Sequence, residues 1–306
     1  MLALIVDRVI QAALALLLLS LAVFLLTRAT GNPLDLLLGQ NASQEDSARL
    51  EKDLGLDRPL YVQYGAYLGK VLQGDLGRSV RSGDSVSQLI RERAAASAWL
   101  AATATIFAFA LGVPLGVLAA VERGRPLDAT ITAASVLFQA VPSFWLGIVF
   151  IDVFAVRINL FPAGEFDGWK SIVLPALTLA LFGLGGVVRL VRTSMLDVLD
   201  SEFVKLARAK GVPERDVVMK HALRNALLPV VTYIGIYFSI LLTLDAVVEV
   251  VFNWPGIGRM MFDAIVFRDF PLAQGMVLFA AAATIVVNLV VDIAYAYLDP
   301  RIRYAQ

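Results

Sequence analysis

The chain has 306 residues, of which 58% are hydrophobic and 17% charged, with 26 Lys+Arg against 26 Asp+Glu. A soluble domain is about 45–50% apolar even with glycine counted, and about 25% charged, so this composition excludes an ordinary globular protein and indicates one embedded in a membrane. Zero net charge gives no reason to expect a nucleic acid partner. The absence of cysteine excludes disulfides, thiolate metal sites and a cysteine nucleophile.

A helix needs about 20 apolar residues to cross a bilayer. In chain order, near-continuous apolar runs occur at 9–27, 94–121, 131–156, 173–190, 227–251 and 272–295, which predicts an all-α polytopic protein with six transmembrane helices. The first run follows a short polar start containing Arg8. No small-x-small cleavage site follows it and it is long for a signal peptide, so it reads as an uncleaved span. The second contains Gly112 and Gly116, a small-xxx-small pair suited to close helix approach, and the fourth contains Gly183, Gly185 and Gly186. Pro114, Pro142 and Pro175 are expected to kink or end their helices.

Four carboxylates, Asp152, Asp245, Glu249 and Asp292, sit in or near apolar runs. A carboxylate in hydrocarbon is costly, so each should face protein or water: along a transport path, as an interhelical hydrogen-bonding partner, or simply near the membrane interface. After the fifth run, "FNWPGIGR" (252–259) predicts a tight turn through Trp254, Pro255, Gly256 and Gly258, with Trp254 suited to anchor at the membrane interface.

Lysine and arginine in short loops set orientation. Arg123 and Arg125 lie between runs two and three. Arg189, Arg192, Lys205, Arg208, Lys210, Arg215, Lys220 and Arg224 lie between runs four and five, and Arg301 and Arg303 lie in the tail. All fall on one side of a six-span count, which makes that side, with both termini, cytoplasmic and leaves 28–93 outside. That outer stretch contains a predicted turn at Asp57, Arg58 and Pro59, and short helices are expected there.

The connection between runs four and five is longer than orientation requires. Leu199, Phe203, Leu206 and Ala207 recur at helical spacing and predict a short amphipathic helix. Gly211 suits its end and Pro213 the first turn of a second helix, with Glu214 and Asp216 near its positive pole; that helix runs through Lys220, His221 and Arg224 into run five. A basic loop touching anionic lipid headgroups is the plain alternative. Two ordered pieces with a sharp break suit a rigid knob docking into a partner's groove.

"ARAKGV" (207–212) followed by "HALRNALLPVVT" (221–232) resembles the coupling motif of permease subunits in bacterial ATP-binding-cassette importers. The motif's glycine falls on Gly211 and its closing proline on Pro229; Lys205 and Leu206 depart from the general motif, as its peptide branch does. "LGLDRPLYVQYGAYLGKVLQGDLGRSVRSGDSV" (54–86), "VFNWPGIGRMMFDAIVFRDFPLAQG" (251–275) and "DPRIRY" (299–304) agree with that branch. Nearly the whole chain is thus similar to the B-type permease of dipeptide, oligopeptide, glutathione and nickel importers, the binding-protein-dependent inner membrane components.

The resemblance implies a type I importer permease fold in the bacterial inner membrane, with a first helix and long external segment (1–93), a five-helix core (94–298) carrying a cytoplasmic coupling loop (192–226), and a cytoplasmic tail (299–306). It implies partners: a second homologous permease, two cytoplasmic ATPase subunits and an external substrate-binding protein, with short peptide as cargo or, alternatively, glutathione or a nickel or other metal chelate. Ala207, Arg208, Ala209, Lys210 and Gly211 would form the coupling knob, with Arg208 and Lys210 touching acidic groups on an ATPase, and Arg224, Asn225 and Pro229 joining it to span five. His221, solitary, would hydrogen-bond or pack there rather than hold metal. The 28–93 segment would contact the binding protein or form a lid, and the Trp254 turn would be a short re-entrant or gate-forming loop. ATP and magnesium would belong to the partner ATPases. The chain itself has no phosphate loop, since Val71 follows Gly69-Lys70, and no HExxH or GxSxG motif, so no catalytic centre is expected. A stand-alone secondary transporter would need paired repeats or a relay of ionisable residues along several runs; no paired repeats are seen, and the four carboxylates are too sparse for a relay.

Overall fold

The computed structural model describes residues 2–30, 57–164, 166, 168–244 and 246–298; the side chains of 2–5, 7, 27–30, 243, 244 and 292–298 are outside this description. In chain order the α-helices are α1 (Leu2–Thr30), α2 (Leu60–Leu72), α3 (Val86–Val121), α4 (Pro126–Ala140), α5 (Ser143–Phe150), α6 (Val173–Leu199), α7 (Glu202–Ala209), α8 (Glu214–Asp216), α9 (Leu223–Leu244), α10 (Ala246–Val251), α11 (Ile257–Val266) and α12 (Phe270–Leu298). A π-helical stretch, Ile151–Arg157, continues α5, and another, Val217–Ala222, joins α8 to α9. The all-α expectation holds. Five helices are long and apolar enough to cross a membrane, and the bent pair Pro126–Ala140 and Ser143–Arg157 makes a sixth span if taken as one.

That third span is not a rod. Its halves meet at 98°. The cause is local: Val141 precedes Pro142 and is extended (φ −77, ψ 130), because the proline ring excludes the helical region for the residue before it. The other prolines act differently. Pro175 sits in the first turn of α6, where the missing N–H has no helical partner to lose, and Pro114 lies inside α3, which continues to Val121.

The chain folds as two compact units. The smaller comprises Met1–Ala95 and Arg259–Ile285. In it Phe24 of α1 packs on Tyr64 and Tyr67 of α2, ring centroids 5.5 and 5.7 Å away, and the hydroxyls of Ser20 and Tyr64 lie 2.8 Å apart. The predicted turn at residues 57–59 is present and leads into α2. Asp269, buried, caps α12 by accepting from the Leu272 amide (3.3 Å), and also accepts from the Ser79 hydroxyl (2.5 Å) and the Val80 amide (3.2 Å). The rest of the external stretch, 31–56, and the tail, 299–306, lie outside the described residues.

The larger unit comprises Ala96–Gly258 and Val286–Gln306, with α6 at its centre. About two thirds of α6's apolar window is buried (67%), against 17% for the first and last spans, so α6 is the helix the others pack around. Gly112 and Gly116 of α3 bring that helix onto it: a Cβ at Gly112 would stand 2.5 Å from Val187, and one at Gly116 would stand 2.6 Å from Val191. Gly185 admits α4, whose Ser135 carbonyl would be 2.7 Å from a Cβ there, and Gly183 admits Tyr237 of α9, whose hydroxyl donates to the Leu179 carbonyl at 2.7 Å.

α6 also runs nine residues past the predicted end at 190, because Val191, Met195 and Leu199 continue its buried stripe at four-residue spacing. Arg189 and Arg192 therefore stand on a helix, not in a loop. Arg192 forks onto Asp128 of α4, with Nε to Oδ1 at 2.7 Å and Nη2 to Oδ2 at 2.8 Å, and the Gly124 amide donates to Oδ2 at 3.0 Å.

Two predictions follow from this packing. Gly116→Leu forces an isobutyl group into the α3–α6 contact and should destabilise the unit by about 1–3 kcal/mol. Detergent-extracted protein should then show a lower melting midpoint by fluorescence-detected size exclusion, whereas Gly69→Leu, with nothing within 4 Å of its added Cβ, should not. Asp128→Ala strands a half-buried guanidinium and should cost about 1–3 kcal/mol, while Asp128→Leu combined with Arg192→Met should recover most of that loss in the same assay.

Candidate functional site

The basic two-part segment begins where α6 ends. Ser201 is extended (φ −74, ψ 153) and starts α7, which closes in a Schellman arrangement. The Val212 amide donates to the Ala207 carbonyl (3.2 Å) and the Gly211 amide to the Arg208 carbonyl (2.9 Å), with Gly211 left-handed at φ +78. An L side chain at that angle is strained, so the glycine is what lets the chain turn. Pro213 then serves as N-cap (φ −56, ψ 139), one position earlier than predicted, and its carbonyl accepts from the Asp216 and Val217 amides at 2.8 and 3.0 Å.

From Glu214 to Leu242 the chain is one uninterrupted helical rod leading into the fifth span. Its π-helical turn widens the backbone ladder at 217–222, and the Asn225 side-chain amide donates to the His221 carbonyl at 2.7 Å. Pro229 lies inside α9 without ending it.

The segment is welded to the core. Val204, Val217, Val218 and Ala222 are buried in the same apolar cluster as Val191, Met195 and Leu199 of α6. The face turned inward differs from the expected stripe: Leu199 belongs to α6, Ala207 is half-buried, and Phe203 and Leu206 are exposed, 47% and 55%. The reason is the break at Ser201, which resets the helical register so that Val204 points to the core. Phe203, Leu206 and Met219 are left as apolar side chains on the free surface.

The charges divide into two sets. Arg208 forks across the Gly211 turn onto Glu214, with Nε to Oε2 at 3.1 Å and Nη2 to Oε1 at 2.7 Å. That carboxylate holds the guanidinium above its ordinary pKa against a smaller opposing effect of burial. Lys205 pairs with Glu202 at 2.8 Å and Lys220 with Asp216 at 2.9 Å; the Glu202 partner raises the lysine's pKa. Lys210, Arg215 and Arg224 are exposed and make no ion pair among the described residues. Arg208 is thus a brace inside the segment, and Lys210 is the member of the expected contact pair that remains free. Ala209 ends α7, and His221 is exposed.

The Trp254 turn is a second built feature. It connects α10 to the first residues of α11, with Asn253 left-handed at φ 52. Trp254 is buried, not interfacial: it is 1% exposed, its indole N–H donates to the Ala96 carbonyl (3.0 Å), and its ring meets Phe166 edge-on at 5.0 Å. Glu249 is buried too and accepts from the Ser97 hydroxyl at 2.5 Å. Ser97 in turn accepts from the Ile257 amide at 2.8 Å, and the Trp254 amide donates to the Glu249 carbonyl at 2.8 Å. Gly256 leaves room for the Glu249 carboxylate, and Gly258 lies against the Ala246 backbone, where a Cβ would be 2.5 Å from its Cα. Pro255 is half-buried between them.

Asp152 is spent on its own helix, paired with Arg157 at 2.7 Å, a five-residue spacing that the π-helical stretch brings into line. Asp245 and the Asp292 side chain lie outside the described residues. Reading the sequence alone passed over Ser97 and Asp128, since a serine in an apolar helix and an aspartate beside a loop carry no periodic signal. The Val191, Met195, Leu199 spacing was the signal available for α6's extension.

The binding-protein-dependent transport system inner membrane component family matches at residues 112–304, and its N-terminal companion at 1–97. A glutathione transport system permease of Salmonella choleraesuis (strain SC-B67) is 42% identical over 274 residues, 90% of each chain. A Brucella abortus (strain 2308) protein named for a peptide transport system permease is 40% identical over 99% of this chain and 100% of its own. Among solved structures, an inward-facing MetNI methionine ABC transporter subunit superposes with a TM-score of 0.59 at 19% identity, covering 69% of this chain and 97% of that one. The chain belongs to the binding-protein-dependent transport system inner membrane component family: it is a multi-pass permease subunit of an ABC importer, working with substrate-binding and ATPase partners that carry the hydrolysis of ATP.

Proposed function

We propose that this permease forms half of a pathway for short peptides, paired with a second homologous permease, and that α7, the Gly211 turn and α8 are the knob through which two cytoplasmic ATPase subunits drive it. The segment and both termini then face the cytoplasm, in keeping with the lysine and arginine distribution. Peptide cargo, glutathione included, rests on the names of the two relatives; glutathione is itself a small peptide.

The observation that carries the coupling reading is the burial of Val204, Val217, Val218 and Ala222 in one cluster with Met195 and Leu199. A displacement of the knob cannot be absorbed locally, because a close-packed core transmits strain. It must move α6 and the rod from Glu214 to Leu242 together. Phe203, Leu206 and Met219 supply an apolar contact face, and Lys210, Arg215 and Arg224 a basic rim. The Trp254 turn, with Glu249, Pro255, Gly256 and Gly258, is a preformed element after the far end of the same rod, suited to gate the other mouth.

Two tests apply to the importer reconstituted with its partners in proteoliposomes. Gly211→Pro should lower peptide uptake by about tenfold or more, the scale of a lost coupling free energy, while membrane insertion and assembly stay normal. Wild-type uptake by that variant at normal abundance would count decisively against the knob. Arg208→Ala, Glu214→Ala and the double variant should all lose the same modest amount, up to about fivefold, because the pair is half-exposed and worth about 0.2–1 kcal/mol. Additive losses would mean that Arg208 acts on a partner instead of bracing the turn.

A further inference from the structure

We propose that Arg189, Gln139 and Tyr233 form a subsite that binds the carboxylate of the transported substrate inside the membrane domain. This deepens the peptide-import reading above and rests on it.

The starting point is the contrast between two arginines one turn apart on α6. Arg192 is neutralised by a bidentate aspartate. Arg189 has no carboxylate partner among the described residues. Its guanidinium is held by two neutral acceptors, the Gly185 carbonyl on its own helix (Nε, 3.2 Å) and Gln139 Oε1 on α4 (Nη2, 3.0 Å). Arginine has five N–H donors, so most of its hydrogen-bonding capacity and all of its charge remain available. It lies on an exposed face of α6, seven residues and two turns after the exposed Phe182, within a helix otherwise apolar enough to cross a membrane. An ionised group in such a helix is retained where it faces a water-filled path or a polar guest.

The neighbours are arranged to the same end. Two adjacent glycines of α6 open the space beside Arg189. A Cβ at Gly185 would stand 2.8 Å from Gln139 Oε1, and one at Gly186 would collide with the Tyr233 hydroxyl. Three helices, α4, α6 and α9, therefore bring polar groups to one spot. Tyr233 is held in place by ring contacts with Phe109 (6.1 Å) and Tyr237 (6.2 Å, stacked), yet its hydroxyl makes no hydrogen bond among the described residues. The Gln139 amide nitrogen is equally unengaged among them.

The cluster is thus a surplus of donors around one uncompensated positive charge. Its ligand is an anion, and the planar guanidinium fork matches a carboxylate, which accepts two parallel hydrogen bonds. Every linear peptide with a free C-terminus carries that group, and glutathione carries two. The subsite gives the pathway a foothold common to peptides of different side chains, as a permease that takes cargo from a binding protein requires.

The test uses the complete importer in proteoliposomes with its binding protein loaded with a free-acid tripeptide, and reads peptide imported per ATP hydrolysed. Arg189→Gln should lower that ratio by about tenfold or more, the scale of a lost charged hydrogen-bond pair, while binding-protein-stimulated ATP hydrolysis persists. Arg189→Lys, which keeps the charge, should stay within about fivefold of wild type, and Tyr233→Phe should lose about threefold to fivefold, the scale of one neutral hydrogen bond. Wild-type import by Arg189→Gln would overturn the subsite and leave Arg189 as a headgroup contact. A Lys variant as impaired as the Gln variant would overturn it as well, since a retained positive charge must preserve part of an anion's binding. Loss of the co-purifying second permease in Arg189→Gln would overturn it in favour of an interfacial ion pair. Failure of the wild-type importer to move peptide at all would overturn the import reading, and the subsite with it.

Discussion

The larger unit depends on one helix that is about two thirds buried (67%). α6 is enclosed by α3, α4 and α9, and the enclosure is possible because glycines replace side chains wherever a neighbour comes closest: Gly112 and Gly116 on the α3 side, and Gly183 and Gly185 on α6 itself. In a bilayer the lipid tails are as apolar as leucine, so burying hydrocarbon gives helices little reason to associate. Close van der Waals contact across small residues and a few interhelical polar contacts do the holding. The Asp128–Arg192 fork is one of those contacts, and it ties α4 to the end of α6 that leads to the basic segment.

That end is where membrane packing becomes mechanics. α6 keeps its buried stripe through Met195 and Leu199 and hands it to Val204 and Val217 across two chain reversals. The segment is consequently an extension of the core that happens to carry a basic surface. The Gly211 turn is closed by its own backbone hydrogen bonds and braced by Arg208 and Glu214, so the segment has a defined shape of its own. On the proposed reading this is what an externally powered gate requires, because a partner can push only on something that does not yield first.

The polar groups kept inside this apolar molecule fall into two kinds. Some are closed systems: Glu249, Ser97 and the Ile257 amide satisfy one another around the Trp254 turn, and Asp152 is answered by Arg157. Such networks hold backbone geometry that apolar contacts alone leave loose. The cluster at Arg189 is the other kind, with donors outnumbering acceptors and a charge unbalanced. Arg192 beside it is answered by Asp128, and on the proposed reading that contrast separates a binding surface from a structural joint.

Much of this was legible in the residues themselves. Apolar run length announced the spans, because a bilayer demands a minimum thickness of hydrocarbon whatever surrounds it. Gly211 and Pro213 marked the break between α7 and α8, because left-handed backbone and a missing N–H are properties of single residues. Other features existed only after folding. The bend of 98° at Pro142 was readable as a break but not as an angle, since the packing of both halves sets it. Phe203 and Leu206 exchanged places with Val204 because the core, and not the helical wheel, decided which face turned inward. Trp254 became a core residue because the Ala96 carbonyl was there to receive its N–H. Spans and turns are consequences of local chemistry, whereas which charge is paired and which is left open depends on residues brought together from distant parts of the chain, as Arg192 found Asp128 while Arg189 met only neutral acceptors.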